Sequence, residues 1–197
     1  LFRYKEFDRR VAFINAELEK VRAIPGVINA GSINLIPFTN FASATFYLLE
    51  GQSRDRSAGQ VALIRNVSRD YFETVGARLR EGRLFSASDR KSDAPVAIVN
   101  EPFANRHFAN QSPLGQRFKF GSLGDKGYWY TIVGVVRQIP ESGVLDEAKP
   151  VVYRVHEQCD QIGDLNAGIV IRTDVEPASI VPAVRQAIWS LDKNQPL

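Results

Sequence analysis

Cys159 is the only cysteine of the chain and follows His156, one of two histidines, by three residues. A cysteine nucleophile needs a histidine and a carboxylate beside it in space. Residues 150–155 read as a strand, so the pair falls at a strand end, where side chains three apart point to opposite faces. That reading leaves Cys159 a semi-buried or incidental thiol, and a lone cysteine makes no internal disulfide. His107 falls at the end of a predicted helix. Two histidines with no Glu, His or Cys at ligand spacing do not make a zinc site. Glu50, Asp70, Glu73, Glu101 and Asp146 are scattered along the chain. A glycosidase-like pair needs two carboxylates held roughly 5–10 Å apart in a cleft, and nothing in their spacing favours that.

Gly121-Ser-Leu-Gly-Asp-Lys-Gly127 has the glycines and the lysine of a phosphate loop. It lacks the Gly-Lys-Ser/Thr ending, and a strand follows where a helix is required. It reads as a hairpin tip. No Gly-x-Ser-x-Gly elbow occurs. Asn66-Val-Ser68 and Asn110-Gln-Ser112 match the glycosylation pattern, which short chains meet by chance. The sequence therefore predicts no catalytic residues, no cofactor-binding residues and no metal ligands.

The elements around these residues carry more information. The 197 residues, 44% hydrophobic and 24% charged, fit one good core or two small lobes sharing an interface. The net charge of +3 is spread with both signs mixed, which excludes the dense basic stripe of a nucleic-acid binder. The chain begins at Leu1 and has no Met, so we expect a piece of a longer protein. No apolar run approaches the ~18 residues of a membrane span, and no signal peptide is present.

Phe7, Val11, Ile14, Leu18 and Val21 form one apolar stripe, predicting a helix over residues 4–23 that Pro25-Gly26 stops. Residues 27–35 read as a strand. Residues 44–50 and 60–67 read as a hairpin across a polar connection at 51–59. Near the other end, residues 168–173 alternate as a strand. Pro177 opens a second helix with Ile180, Val181, Val184, Ile188 and Leu191 on one face. The two ends thus repeat a helix-on-sheet unit, and two helices on one face of a mixed sheet would bury both stripes.

The middle, residues 67–139, is built from short elements. Ser68 is placed to cap a helix over residues 69–75, and Gly76 to end it in a left-handed conformation. Strands are expected at 78–83 and 96–99. Asn100 is placed to cap a second helix with Pro102 in its first turn. Gly115, in Ser112-Pro-Leu-Gly115, should take positive φ. Residues 116–120 and 128–139 read as a hairpin, and residues 150–155 as a further strand.

The series Val67-Ser-Arg-Asp-Tyr-Phe-Glu-Thr-Val-Gly76, Leu79-Arg-Glu-Gly-Arg83-Leu-Phe, Val96-Ala-Ile-Val-Asn-Glu101, Pro113-Leu-Gly115 and Tyr130-Thr-Ile-Val-Gly-Val-Val136 closely resembles, in residues, order and spacing, the periplasmic core domain of MacB-type ABC transporter permeases. Within that family the wording is most similar to an acidobacterial-type group. The ending Val184-Arg-Gln-Ala-Ile-Trp-Ser-Leu-Asp192, with Gln195-Pro196, resembles the end of the same domain.

The resemblance implies an α+β, two-lobed domain. Residues 1–66 and 165–197 would form a discontinuous helix-on-sheet subdomain similar to the porter subdomains of efflux pumps. Residues 67–164 would form an inserted small mixed subdomain, called Sabre in this family. It further implies a non-catalytic place on the periplasmic side of the inner membrane, between membrane helices absent from this sequence. Its expected partners are an ABC ATPase, a second permease copy, and a periplasmic adaptor or cargo, with no cofactor and no nucleic acid. The expected role is to pass ATP-driven motion outward for efflux or for lipoprotein or peptide handling. Two other readings carry tests of their own. A ligand-binding sensor domain would need a closed pocket with convergent polar groups. A hydrolase would need paired carboxylates with raised pKa values.

Overall fold

The computed structural model describes residues 6–39, 43–52, 60–121, 127–140, 148–159 and 167–195. The first helix, α1 (Phe7–Arg22), runs into β1 (Val27–Ile33). The hairpin strands β2 (Ala44–Leu49) and β3 (Gln60–Val67) follow, then the short α2 (Tyr71–Val75), β4 (Leu79–Gly82) and β5 (Val96–Asn100). Next come α3 (Glu101–Phe108), β6 (Arg117–Phe120), β7 (Tyr130–Val136) and β8 (Val151–Val155). A 3-10 turn at His156–Gln158 leads toward β9 (Gly168–Thr173) and α4 (Pro177–Trp189). The α+β class expected from the sequence is the class observed.

Strand pairing runs β2–β6–β7–β5–β8–β3, and β3 pairs back onto β2. Six strands therefore close into a ring, which leaves those strands no free edge. Side chains alternate across each strand, and the inward set fills the ring. Tyr47 and Leu49 come from β2, Ala62 from β3, Ala97 and Val99 from β5, Phe118 from β6, Tyr130 and Ile132 from β7, and Val152 from β8. Small barrels are filled by side chains in this way. The helix α3 adds Phe103, Ala104 and Phe108 to the same cluster and so closes the ring at the end where β5 finishes.

The outward set of β3, β5 and β8 packs on α2. Leu63, Val67, Ile98, Tyr153 and Val155 meet Tyr71, Phe72 and Phe85 there. The chain ends make the third core. β1 and β9 pair antiparallel from Val27↔Thr173 to Ile33↔Gly168, and α1 and α4 pack together over them around Ile14, Leu18, Val21, Ala30 and Ile188. Ile14, Leu18 and Val21 of the first predicted stripe and Ile180 and Ile188 of the second are buried, whereas Val181 is 49% exposed. β2 and β3 lie within residues 44–67, yet their partners β6 and β8 come from the middle of the chain.

Local chemistry explains most element boundaries. Pro177 occupies the first turn of α4, and Gly76 ends α2 at φ 70°. Gly115 sits at φ 79°. Ser68 is a correction. Its hydroxyl does not cap α2, which starts at Tyr71 with no side-chain cap. It accepts instead from the Ser32 N–H on β1, at 2.9 Å.

Candidate functional site

The structure gathers polar chemistry at two places in the ring. The first is Asn100, at the end of β5, fully buried. Its Oδ1 accepts from the Phe103 N–H at 3.1 Å, which is the helix cap read from the sequence, and from the Val151 N–H at 2.9 Å. Its Nδ2 donates to Gln138 Oε1 at 2.7 Å and to the Lys149 carbonyl at 2.8 Å. One amide thereby ties α3, β5, the exit of β7 and the entry of β8.

The second is a buried cationic cluster at the opposite end of β5. Arg154 points inward from β8, 4% exposed. Its Nε donates to Asn66 Oδ1 at 2.9 Å, and its Nη1 donates to the Tyr130 hydroxyl at 3.3 Å. Its guanidinium also lies over the rings of Phe120 and Tyr130, where the π face favours a cation. Arg10 reaches in from α1 and donates to the Cys159 carbonyl at 3.0 Å. Beside them His156 is buried, and its Nε2 has no hydrogen-bond partner among the described residues. Burial first, then the charges of Arg10 and Arg154, push its pKa down to about 4. Near two guanidiniums a charged imidazole would be repelled, so the ring stays neutral.

The residues first considered for catalysis do not assemble. His156 and Cys159 share the 3-10 turn, with the Cys159 N–H donating to the His156 carbonyl at 3.1 Å. Both are buried, and the turn replaces the strand end expected from the sequence. The Cys159 thiol donates to Asn66 Oδ1 at 3.4 Å and to the Val155 carbonyl at 3.1 Å.

His107 lies in the last turn of α3 and meets the Tyr47 hydroxyl at 2.5 Å. Burial, with the nearby Arg106 charge, pushes its pKa down to about 4. Burial pushes the Tyr47 hydroxyl up to about 12, against opposing contributions from Arg106. A neutral phenol and a neutral imidazole therefore share a structural hydrogen bond whose donor is set by the histidine tautomer.

The carboxylates are dispersed into ion pairs. Glu50 meets Arg117 at 2.9 Å, Asp70 meets Arg22 at 2.5 Å, and Glu101 meets Arg80 at 3.5 Å. Asp146 and residues 122–126 of the glycine-rich loop lie outside the described residues. Asn66 of the first glycosylation match is fully buried and so closed to modification. No group of three or more His, Cys, Asp or Glu side chains able to hold a metal occurs among the described residues.

Sequence reasoning missed Arg10, Arg154 and the Arg83–Asp89 pair, which meets at 2.7 and 2.8 Å. Burial pushes the Asp89 carboxyl up, but bonds from Arg83 and Ser86 outweigh it and hold the carboxyl below its ordinary range. Glu17 was also missed. Burial on α1, with the nearby Asp192 charge, raises its pKa to about 7. Only the alternation of β8, which aligns Arg154 with the inward Val152, carried a signal.

These arrangements stiffen a filled ring and its supporting unit. The same fold occurs in solved extracytoplasmic transporter domains. The periplasmic region of MacB from Actinobacillus actinomycetemcomitans superposes with a TM-score of 0.63 at 17% identity, covering 90% of this chain and 73% of that one. The extracellular domain of the noncanonic ABC-type transporter YknZ from Gram-positive bacteria gives 0.61 at 15% identity, covering 90% and 81%.

The family follows from the sequence. The model of the MacB-like periplasmic core domain matches residues 8–188, and the chain belongs to that family. The macrolide export ATP-binding/permease protein MacB of Neisseria gonorrhoeae is 30% identical over 83 residues, 42% of this chain and 12% of that protein. MacB 2 of Aeromonas hydrophila is 33% identical over 88 residues, 45% of this chain and 13% of that protein. The chain thus spans only a small part of the curated relatives it matches. No helix among the described residues is long and apolar enough to cross a membrane.

Proposed function

We propose that this domain is the extracytoplasmic part of an ABC transporter permease of the inner membrane, and that it passes ATP-driven conformational change to cargo or an adaptor without performing catalysis. The observation that carries the proposal is the family match over residues 8–188. The packing supports it. The first and last helices lie side by side on β1–β9, so a pull arriving through either would enter the same unit. The ring interior is filled by Tyr47, Phe103, Phe118 and Tyr130, which speaks against a small-ligand sensor cup.

We further propose that the domain is built from two structural units, one from the chain ends and one from the middle, with β2 and β3 counted with the ring they help close. The partners in this reading are an ABC ATPase, a second permease copy, and an adaptor or cargo. The parent gene tests the proposal. It should encode an apolar spanning segment before this domain and three after it, with an ATPase in the same or a neighbouring gene. A parent without spanning segments would overturn the reading.

A further inference from the structure

We propose that residues 68–76, which carry α2, form a keystone that locks the chain-end unit to the ring, so that the two move as one rigid body. The inference rests on packing alone and holds whatever the cargo.

The direct junction between the two parts is narrow. β1 meets β3 at a single residue pair, Ile33↔Val67. Side chains lengthen that ladder on both sides: the Ser32 N–H donates to Ser68 Oγ at 2.9 Å, and the Asn66 N–H donates to Asn34 Oδ1 at 3.0 Å. Two backbone bonds flank the same pair, from the Asn34 N–H to the Asn66 carbonyl and from the Ser68 N–H to the Ser32 carbonyl, each at 2.9 Å. Alone, four hydrogen bonds gathered about one residue pair would act as a hinge, with little to resist rotation about it.

α2 removes that freedom by filling the angle between the parts. Its backbone presses on β1 at Gly31, where an added Cβ would lie 2.7 Å from the Tyr71 Cα. Only glycine permits that approach. On the ring side, the Phe72 ring packs 5.0 Å from Tyr153 and 6.0 Å from Phe85. Ile33 and Val170 from the chain-end unit join the same apolar cluster.

Two arginines fasten α2 from the other side. Arg22 Nη2, at the end of α1, donates to the Ala30 carbonyl at 2.6 Å and to Asp70 at 2.5 Å. Arg172 Nε, on β9, donates to the Thr74 carbonyl at 2.8 Å. A third point lies away from α2, where Arg10 of α1 holds the Cys159 carbonyl beyond β8. Three separated attachments fix the relative orientation of two bodies. A displacement imposed on α1 and α4 then reaches the far side of the ring undamped, as packed interiors transmit strain.

The test uses the full 197-residue chain with nitroxide labels at Lys20→Cys and Gln116→Cys, both exposed positions on the two parts. Pulsed electron spin resonance reads the distance between them. The otherwise unaltered chain should give one narrow distance. Gly31→Val, and separately the pair Arg22→Ala with Arg172→Ala, should lose that single peak while near-UV circular dichroism shows the ring aromatics still packed. A broad or multiple distribution in the unaltered chain overturns the proposal, and that result stands even if Gly31→Val fails to fold. A narrow peak that survives the double arginine variant also overturns it.

Discussion

Replacing Asn100 with alanine should be among the most damaging single changes in this domain, and the geometry sets the size of the loss. The truncation removes four hydrogen bonds at a fully buried position. Gln138 is only half-buried, so its amide can find water. The Phe103 N–H, the Val151 N–H and the Lys149 carbonyl lose the partner that Asn100 provides. A buried polar group left unsatisfied costs about 1–3 kcal/mol, and such losses within one network do not simply add. An overall destabilisation of about 3–5 kcal/mol follows from those magnitudes.

Asn100→Ser separates the contributions. Its hydroxyl can restore the cap to Phe103 but does not span to Gln138 and Lys149, so it should recover about 1 kcal/mol, the usual worth of an N-cap. Urea unfolding followed by tryptophan fluorescence, at constant slope, measures both differences. A loss below about 1 kcal/mol for Asn100→Ala, or equal losses for alanine and serine, would refute the hub as drawn.

Two further outcomes concern pH. His156 and His107 have folded pKa values pushed down to about 4, so the stability they contribute is complete above the unfolded value near 6.5 and drains away as pH falls toward 4. For His156, 6% exposed, the limit is about 3 kcal/mol, and the half-buried His107 contributes less. Glu17 acts in the opposite sense. Its folded pKa is raised to about 7, so its contribution is complete below the unfolded value near 4.5 and is lost as pH rises through 7. Glu17→Gln should therefore raise the melting temperature at pH 8 and leave it unchanged at pH 4. Calorimetric scans between those limits check both signs, and a stabilisation that is larger at pH 4 than at pH 8 would contradict the assignment.

What the sequence showed and what it hid divide along contact range. The Asn100 cap, the left-handed Gly76 and Gly115, and Pro177 at the start of α4 all depend on neighbours a few residues away, and each is found where its residue type placed it. The stripes of α1 and α4 were legible because one helix face repeats every few residues. Ser68 was misread because its hydroxyl serves Ser32, thirty-six residues away. A local pattern cannot show that partner. Ring closure was hidden for the same reason, since β3 meets β8 and β2 meets β6 across long stretches of chain. Arg154 was read only as part of the strand at residues 150–155. Its enclosure depends on Asn66 and Tyr130, which only the closed ring brings together.

The most direct test of the transmitting role is a pair of distance measurements in the parent permease, reconstituted with its ATPase in lipid vesicles and labelled either at Gln116→Cys in both copies or at Lys20→Cys and Gln116→Cys in one copy. The distance between copies should shift between the nucleotide-free and ATP-bound states, while the Lys20–Gln116 distance within one copy stays fixed. A distance between copies that is the same in both states while ATP is being hydrolysed would contradict the account.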